Sequence, residues 1–493
     1  MVGTYGGDNI VDLATSPRQT LSSATRRAFL RGVAGTVGVS ALGRLAVGAR
    51  GGRRRPADFH IAHFYRTGDA DSTPSIRRAV AAAQAAGGGR VLAVAGRVYP
   101  VTPQATYNSL NPSGGIGRYN VCLQIPSGVT LDMRGSSLRL HGTEEAVLVA
   151  NANLSGMGPR DASIGLLDAV LDGGNVPSAA TSLLHLAHAD HMDVRGVKIV
   201  RGNYQGGWIY DCRASVFDQL EVDGFVGQPW LIGSASGLGN QVYDSMFGTL
   251  RARNVTQLGN DPYFVGNGFL FVLTRCHVRR IEAYQCGAGI KVQWPGQDIT
   301  IGSVFTSDCG DPSGNSGLKL QGDAQGGPVS RVTVGKVVAR KQTGPGLYMD
   351  RTVDCTVASY QGVANNATGA SADVWIGGTS DHVKELRSDE SGGAGVVVRP
   401  YATAYVLDNV WVRNPNRRRS ATGSAGVAIY GGSGALGYVS CVDTQHPSTM
   451  ARGVDVSSPT AVGQIAVLEV TGESEEAFKS VSTAFPAPPP VGS

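Results

Sequence analysis

The chain has 493 residues, 69 of them Gly, with 42% hydrophobic, 7% aromatic and 16% charged residues and a formal net charge of +5. That hydrophobic content excludes wholesale disorder, no uninterrupted apolar run reaches the roughly eighteen residues that span a bilayer, and Gly without a three-residue period excludes collagen. Residues 1–55 hold nine Arg and two Asp, so residues 56–493 carry 43 − 9 = 34 basic and 38 − 2 = 36 acidic side chains; the basicity belongs to the amino terminus and says nothing of an acidic partner for the body.

The amino-terminal segment Thr25–Gly32 reads T-R-R-A-F-L-R-G and runs into a Gly- and Ala-rich apolar stretch, Val33–Leu42. It resembles a bacterial twin-arginine export signal, with Arg26 and Arg27 as the paired arginines. The resemblance implies a secreted or wall-associated protein, with 1–49 as signal peptide, cleavage after Ala49, and 50–57 as a basic linker. Seven Cys are too few for a disulfide framework, and no C-x-x-C occurs. Cys286 and Cys309 lie in similar contexts 309 − 286 = 23 residues apart and would meet if their segments stack, as buried thiols or as a disulfide.

In the body, Ser75–Ala86 reads as an Ala-rich helix after Pro74, followed by the turn Gly87-Gly88-Gly89-Arg90-Val91 and a strand ending at Tyr99. Next come I-P-S-G-V-T-L-D (Ile125–Asp132) and L-D-G-G-N around Asp172, where Asp172 is expected to bond its own turn. From residue 183 a short pattern recurs: a small residue, then apolar, variable, apolar. It appears at Gly207, Gly268, Gly289, Gly317, Gly346, Asp373, Gly395, Gly426 and Gly453, with spacings from 268 of 21, 28, 29, 27, 22, 31 and 27 residues. The long 207–268 interval leaves room for one more unit near Trp230. Period-two alternation without a helical period means strands. A unit of about 20–30 residues cannot bury its apolar side chains alone, but stacked units share a continuous core. That describes a parallel β-helix over 58–472; a propeller needs about 40 residues per blade, and a sandwich needs hairpins. The Pro-rich end, 473–493, is expected to be a disordered tail.

The Ala-rich helix, the G-G-G-R-V turn, and the I-P-S-G-V-T-L-D and L-D-G-G-N segments resemble the pectate-lyase-like superfamily, which includes polygalacturonases, polysaccharide lyases and phage tailspikes. The resemblance covers about 58–470. It implies an all-β, right-handed, single-stranded parallel β-helix with a short capping helix, acting on a polysaccharide. Many reactions share this fold, so activity must come from the site.

Aligning the units by their small residue gives one outward column of Ile209, Leu270, Lys291, Lys319, Tyr348, Trp375, Val397, Ala428 and Asp455, with His185 before it. A second holds Asp211, Val272, Gln293, Gln321, Asp350, Gly377, Arg399, Tyr430 and Ser457. Amide, aromatic, basic and acidic groups on one ladder suit sugar rings. The polygalacturonase motifs are missing: Ala288 stands where that family has its His, and no D-D pair occurs. Hydrolysis would draw an acid and a base from Asp211, Asp261, Asp323 and Asp350, with Lys319 orienting the sugar and Tyr348 and Trp375 stacking on it. Elimination from a uronate would use Lys291 or Lys319 as base or cation, Tyr348 as base or acid, and Arg399 on a carboxylate. Gln293 and Gln321 stand where calcium-dependent relatives place acidic ligands, so no metal or cofactor is expected, with calcium left open. His188, His191 and His277 read as isolated.

The expectation is therefore an exported enzyme cleaving glycosidic bonds of a polysaccharide, hydrolysis slightly ahead of elimination, with substrate contacts from Gln293, Gln321, Tyr348, Trp375, Arg399 and Tyr430. A non-catalytic glycan-binding coil is the alternative. No nucleic-acid partner and no membrane span are expected, and the assembly is a monomer or homotrimer.

Overall fold

The computed structural model describes residues 57–488 apart from 104, 111–115, 143–145, 155–157, 175–180, 235–240, 259–264, 311–316, 369–371, 418–424, 446–447 and 473–475. The twin-arginine segment and its cleavage site lie outside the described residues.

Two kinds of strand alternate along the chain, and each pairs in parallel with its counterpart one turn further on. Short ones such as Asn267–Phe271, Ala288–Gln293, Leu318–Gln321, Leu347–Val353 and Ala372–Thr379 stack into one sheet. Longer ones such as Met246–Thr256, His277–Cys286, Gln297–Ser307 and Val329–Arg340 stack into the rest of the wall. Parallel crossovers of this kind are right-handed, and the fold is a right-handed parallel β-helix. The register follows the spacing read from the sequence: Leu270, Lys291, Lys319, Tyr348, Trp375, Val397, Ala428 and Asp455 form one continuous column. The additional turn near Trp230 is present, with Gly207 paired to Trp230.

Alternate residues of each strand point inward and merge into one core. Phe217 stacks on Phe247 at 4.9 Å, and Phe269 lies parallel to both Trp230 and Phe271. Helix Thr73–Ala85, with Pro74 in its first turn, buries Ile76, Ala79, Val80 and Ala83 against the amino-terminal end of that core. It thereby closes a layer that would otherwise meet water.

One corner is turned without glycine. Asp308, Lys341, Ala364, Glu390 and Asn414 all have φ between +49° and +56°. Each donates its amide to the carbonyl of the residue one turn on, the first two to Arg340 and Val363. A single left-handed residue bends the strand, and stacking repeats the bend at a cost of about 1 kcal/mol or more for each non-Gly residue.

The other end differs from the boundary expected at 472. Strand Glu476–Ser480 pairs with Arg452–Val456, and Phe485 is fully buried. The apolar Phe478 and Phe485 extend the core by one more rung before the prolines halt the ladder.

Polar side chains also enter the wall. Asp381 is buried, accepting from the Thr352 hydroxyl at 2.5 Å and the Cys355 amide at 3.2 Å. Burial outweighs these bonds and pushes its carboxyl up to about 7. A carboxyl raised in the folded state stabilises the fold at low pH, and that stability is lost as pH rises from about 4 through about 7. Asp381→Asn is therefore expected to match the parent in urea midpoint near pH 4 and exceed it above pH 7.

Candidate functional site

The groove column starts as a covered surface and then opens. In the turn at 207–212 the expected alignment is one residue out. Gly207 points inward, where a Cβ would lie 2.4 Å from the Trp230 ring, so the large indole opposite fixes this turn's phase. Trp208 and Tyr210 therefore occupy the outward positions assigned to Ile209 and Asp211, while Ile209 is buried inside. His185 precedes Trp208 as expected but is fully buried, its Nε2 2.8 Å from the Tyr210 hydroxyl, and burial pushes its imidazole down to about 3. Trp208 and Tyr210 pack with Val121, Val147 and Leu154, and Leu270 and Val272 are buried too.

Asp211 is thereby removed from the groove. It sits at φ +46° on a corner, accepting from Arg160 at 2.9 Å through both oxygens, with His188 Nδ1 at 2.8 Å. Arg160 also bonds Asp190 at 2.8 Å. His188, read as isolated, belongs to this cluster; the residues come from three chain segments, so nothing local announces it. The rungs Tyr210, Gly233, Val272, Gln293, Gln321 and Asp350 place Asp211 about 24 Å along the axis from Asp350, at about 4.8 Å per rung. Paired glycosidase carboxyls stand at most about 9.5 Å apart, so Asp211 and Asp350 cannot serve as acid and base together. Asp211→Asn leaves the part-buried Arg160 short of a counter-charge and is expected to cost about 1–3 kcal/mol in chemical denaturation.

From Lys291 to Trp375 the column is polar or aromatic, and beyond it Val397 and Ala428 are buried again. Lys291 and Lys319 are direct register partners, with Gln293 and Gln321 beside them. Burial, helped by the neighbouring Lys319 charge, pushes the Lys291 ammonium down to about 8; the Asp323 carboxylate opposes this weakly. The Lys319 Nζ lies 5.0 Å from the Tyr348 ring centroid, Tyr348 and Trp375 stack at 5.4 Å with 25° between planes, and the Arg399 guanidinium caps Trp375 at 4.3 Å. Within the protein the Trp375 ring is thus engaged by both Tyr348 and Arg399. Burial, with Asp350 and Tyr401 nearby, pushes the Tyr348 phenol up to about 12, so it stays protonated.

The carboxylates divide by role. Asp350 is buried and accepts from the Tyr401 hydroxyl, a residue the sequence reading missed; Tyr401 reaches back over its rung from the turn after Arg399. Asp323 caps its own loop, accepting from the Gln325 and Gly326 amides at 2.9 and 2.7 Å, which hold its carboxyl below the usual range. That loop seats Gly326 on Trp294, where a Cβ would come within 2.7 Å of the ring. Asp261 lies outside the described residues. Tyr430 is half-buried near Arg399 and packs, as Trp375 does, against the small cluster around Val397 and Ala428. Cys286 and Cys309 occupy adjacent rungs as expected, as buried free thiols. Asp172 bonds the Gly174 amide at 3.0 Å, as its turn predicts, and also pairs with Arg139 and Arg201. Among the described residues no group of three His, Cys, Asp or Glu side chains could hold a metal ion, and no helix is long and apolar enough to cross a membrane.

Solved structures similar to this chain include a mutant tailspike protein of E. coli bacteriophage HK620 in complex with a pentasaccharide (TM-score 0.57, 10% identity, 87% of this chain and 80% of that one). Another structure of that tailspike with pentasaccharide gives 0.55 at 12% identity over 84% and 78%. The A-module of an Azotobacter vinelandii mannuronan C-5 epimerase gives 0.43 at 14% identity over 87% and 99%. No protein-family model and no curated protein matches the chain. At these identities the likeness is one of fold.

Proposed function

We propose that the chain is an exported enzyme that cleaves a uronate-containing polysaccharide by β-elimination in the groove running from Lys291 to Arg399. The observation that carries this reading is the in-register pair Lys291–Lys319, in which burial and the neighbouring charge hold one ammonium near 8. Elimination needs a base for the proton α to the carboxyl and cations to steady the enolate that forms. Neutral Lys291 Nζ takes that proton; the freed electron pair becomes the new C=C bond as the glycosidic C–O bond at the β carbon breaks. Tyr348, held protonated, gives its proton to the departing oxygen, and the proton taken up by Lys291 is released through water to restore the phenol. Lys319 faces the carboxylate of the reacting sugar, and Arg399, stacked on Trp375, takes that of a neighbouring one. Export rests on the resemblance of residues 25–42 to a twin-arginine signal.

Hydrolysis is the second reading, favoured by Asp323 and Asp350, which belong to adjacent turns. Among the described residues, however, Asp323 is lowered, and the raised carboxyls of Asp373 and Asp381 are buried in the wall away from the groove. The experiment is incubation with polygalacturonate and alginate. Rising ultraviolet absorbance from unsaturated ends marks elimination, reducing ends without it mark hydrolysis, and Tyr348→Phe is expected to slow the first by about a hundredfold.

A further inference from the structure

We infer that a second sheet face, remote in sequence register from the groove, binds a polyuronate chain along the coil without cleaving it. The face belongs to the longer strands. Arg253 lies 5.2 Å over the Tyr284 ring, Tyr284 meets Phe305 at 5.3 Å, and Arg340 lies 5.8 Å from Phe305. Further along, Arg387 covers Trp411 at 4.8 Å, over a depression of about 470 Å³ that Asp389 and Arg413 also line. Register puts Arg253, Tyr284, Ser307 and Arg340 on successive rungs, so Arg253 and Arg340 stand about 14 Å apart. Arg387 follows two rungs beyond Arg340 in the neighbouring column.

Charge decides the occupant. Arg253, Arg340 and Arg387 are exposed and have no carboxylate partner among the described residues. The acids of this face are mostly paired: Glu282 with Arg251 and Arg280, Asp389 with Arg413, and Asp223, the register partner of Arg253, with Lys198 at 3.8 Å, while Glu469 accepts from the Tyr438 hydroxyl. Glu385, one column over, has no ion pair among the described residues, and Lys336 in its own column offsets it. Unneutralised guanidiniums at whole-rung spacings, separated by half-buried rings, match a rod bearing a carboxylate on each sugar. They do not match a neutral glycan, which would leave the charges unanswered. Cation on aromatic is also the motif of the groove, repeated on another wall. The inference shares its polymer class with the proposed function but stands on other side chains.

The test is native electrophoresis of the full chain through gels containing polygalacturonate, alginate or neutral dextran. The expected result is retardation by both polyuronates and not by dextran. Arg340→Gln/Arg387→Gln should weaken apparent affinity about tenfold and flatten its salt dependence. Lys319→Ala/Trp375→Ala should keep most of the retardation, with urea midpoints confirming that both fold. Should the double Gln variant unfold, Arg253→Gln alone is expected to weaken affinity severalfold. Absence of retardation in the parent, unchanged retardation in the Gln variants, or equal loss in the groove variant overturns the inference. So does self-association that the Gln variant dissolves, which would make the face a contact between copies. A parent that forms unsaturated products while the Gln variant is retarded normally removes this face and leaves the groove reading intact.

Discussion

Lys291→Met should abolish formation of unsaturated product, by about a hundredfold to ten-thousandfold, while making the protein more stable at pH 7. Met keeps the length and apolar contacts of the side chain and removes the ammonium that burial disfavours. The drop from the ordinary 10.5 to about 8 corresponds to about 3 kcal/mol at most. The sign follows from linkage. Because the folded protein holds this proton less tightly than the unfolded chain, the penalty is fully present below about pH 8 and fades as pH rises towards about 10.5. Urea midpoints of the parent should thus climb across that window while those of the variant do not. A lysine kept only for structure has no reason to combine lost turnover with gained stability, whereas a base placed where its charge is costly does.

Trp230→Ala should be the most damaging single truncation in the core, at about 3–5 kcal/mol by denaturant midpoint. The indole is fully buried, lies parallel to Phe269 at 6.5 Å, and fills the space that Gly207 leaves open. Removing it opens a cavity beneath Leu231 and Leu270, one rung before Lys291. Trp230→Phe should lose less than half as much, because a ring against Phe269 is kept. A loss below about 1 kcal/mol for Ala would mean that the wall collapses into the gap and that this layer does not set the phase of its neighbours.

The sequence carried the coil because each turn repeats small–apolar–variable–apolar, and parallel register preserves that phase from Leu270 to Asp455. Phase failed at 207–211, where a glycine chosen for the space opposite Trp230 looks like the glycines that begin other units. The turned corner was also hidden: Asp308, Lys341, Ala364, Glu390 and Asn414 share a φ but no residue type. Half of the site was legible in the same way, as Lys291, Lys319, Tyr348 and Trp375 fall on one column by counting. Counting cannot show that Tyr401 folds back onto Asp350, that Asp211 belongs to Arg160 and His188, or that the rings stack on each other; those depend on side-chain directions set by neighbours from distant turns.

The most direct measurement follows ultraviolet absorbance of polygalacturonate and alginate digests, for the parent and Lys291→Met, between about pH 6 and 10. The account predicts unsaturated product from the parent, with a rising limb that levels off near the Lys291 value of about 8, and none from the variant. Reducing ends without absorbance, or a Lys291→Met variant that keeps the parent's rate and pH profile, would contradict it.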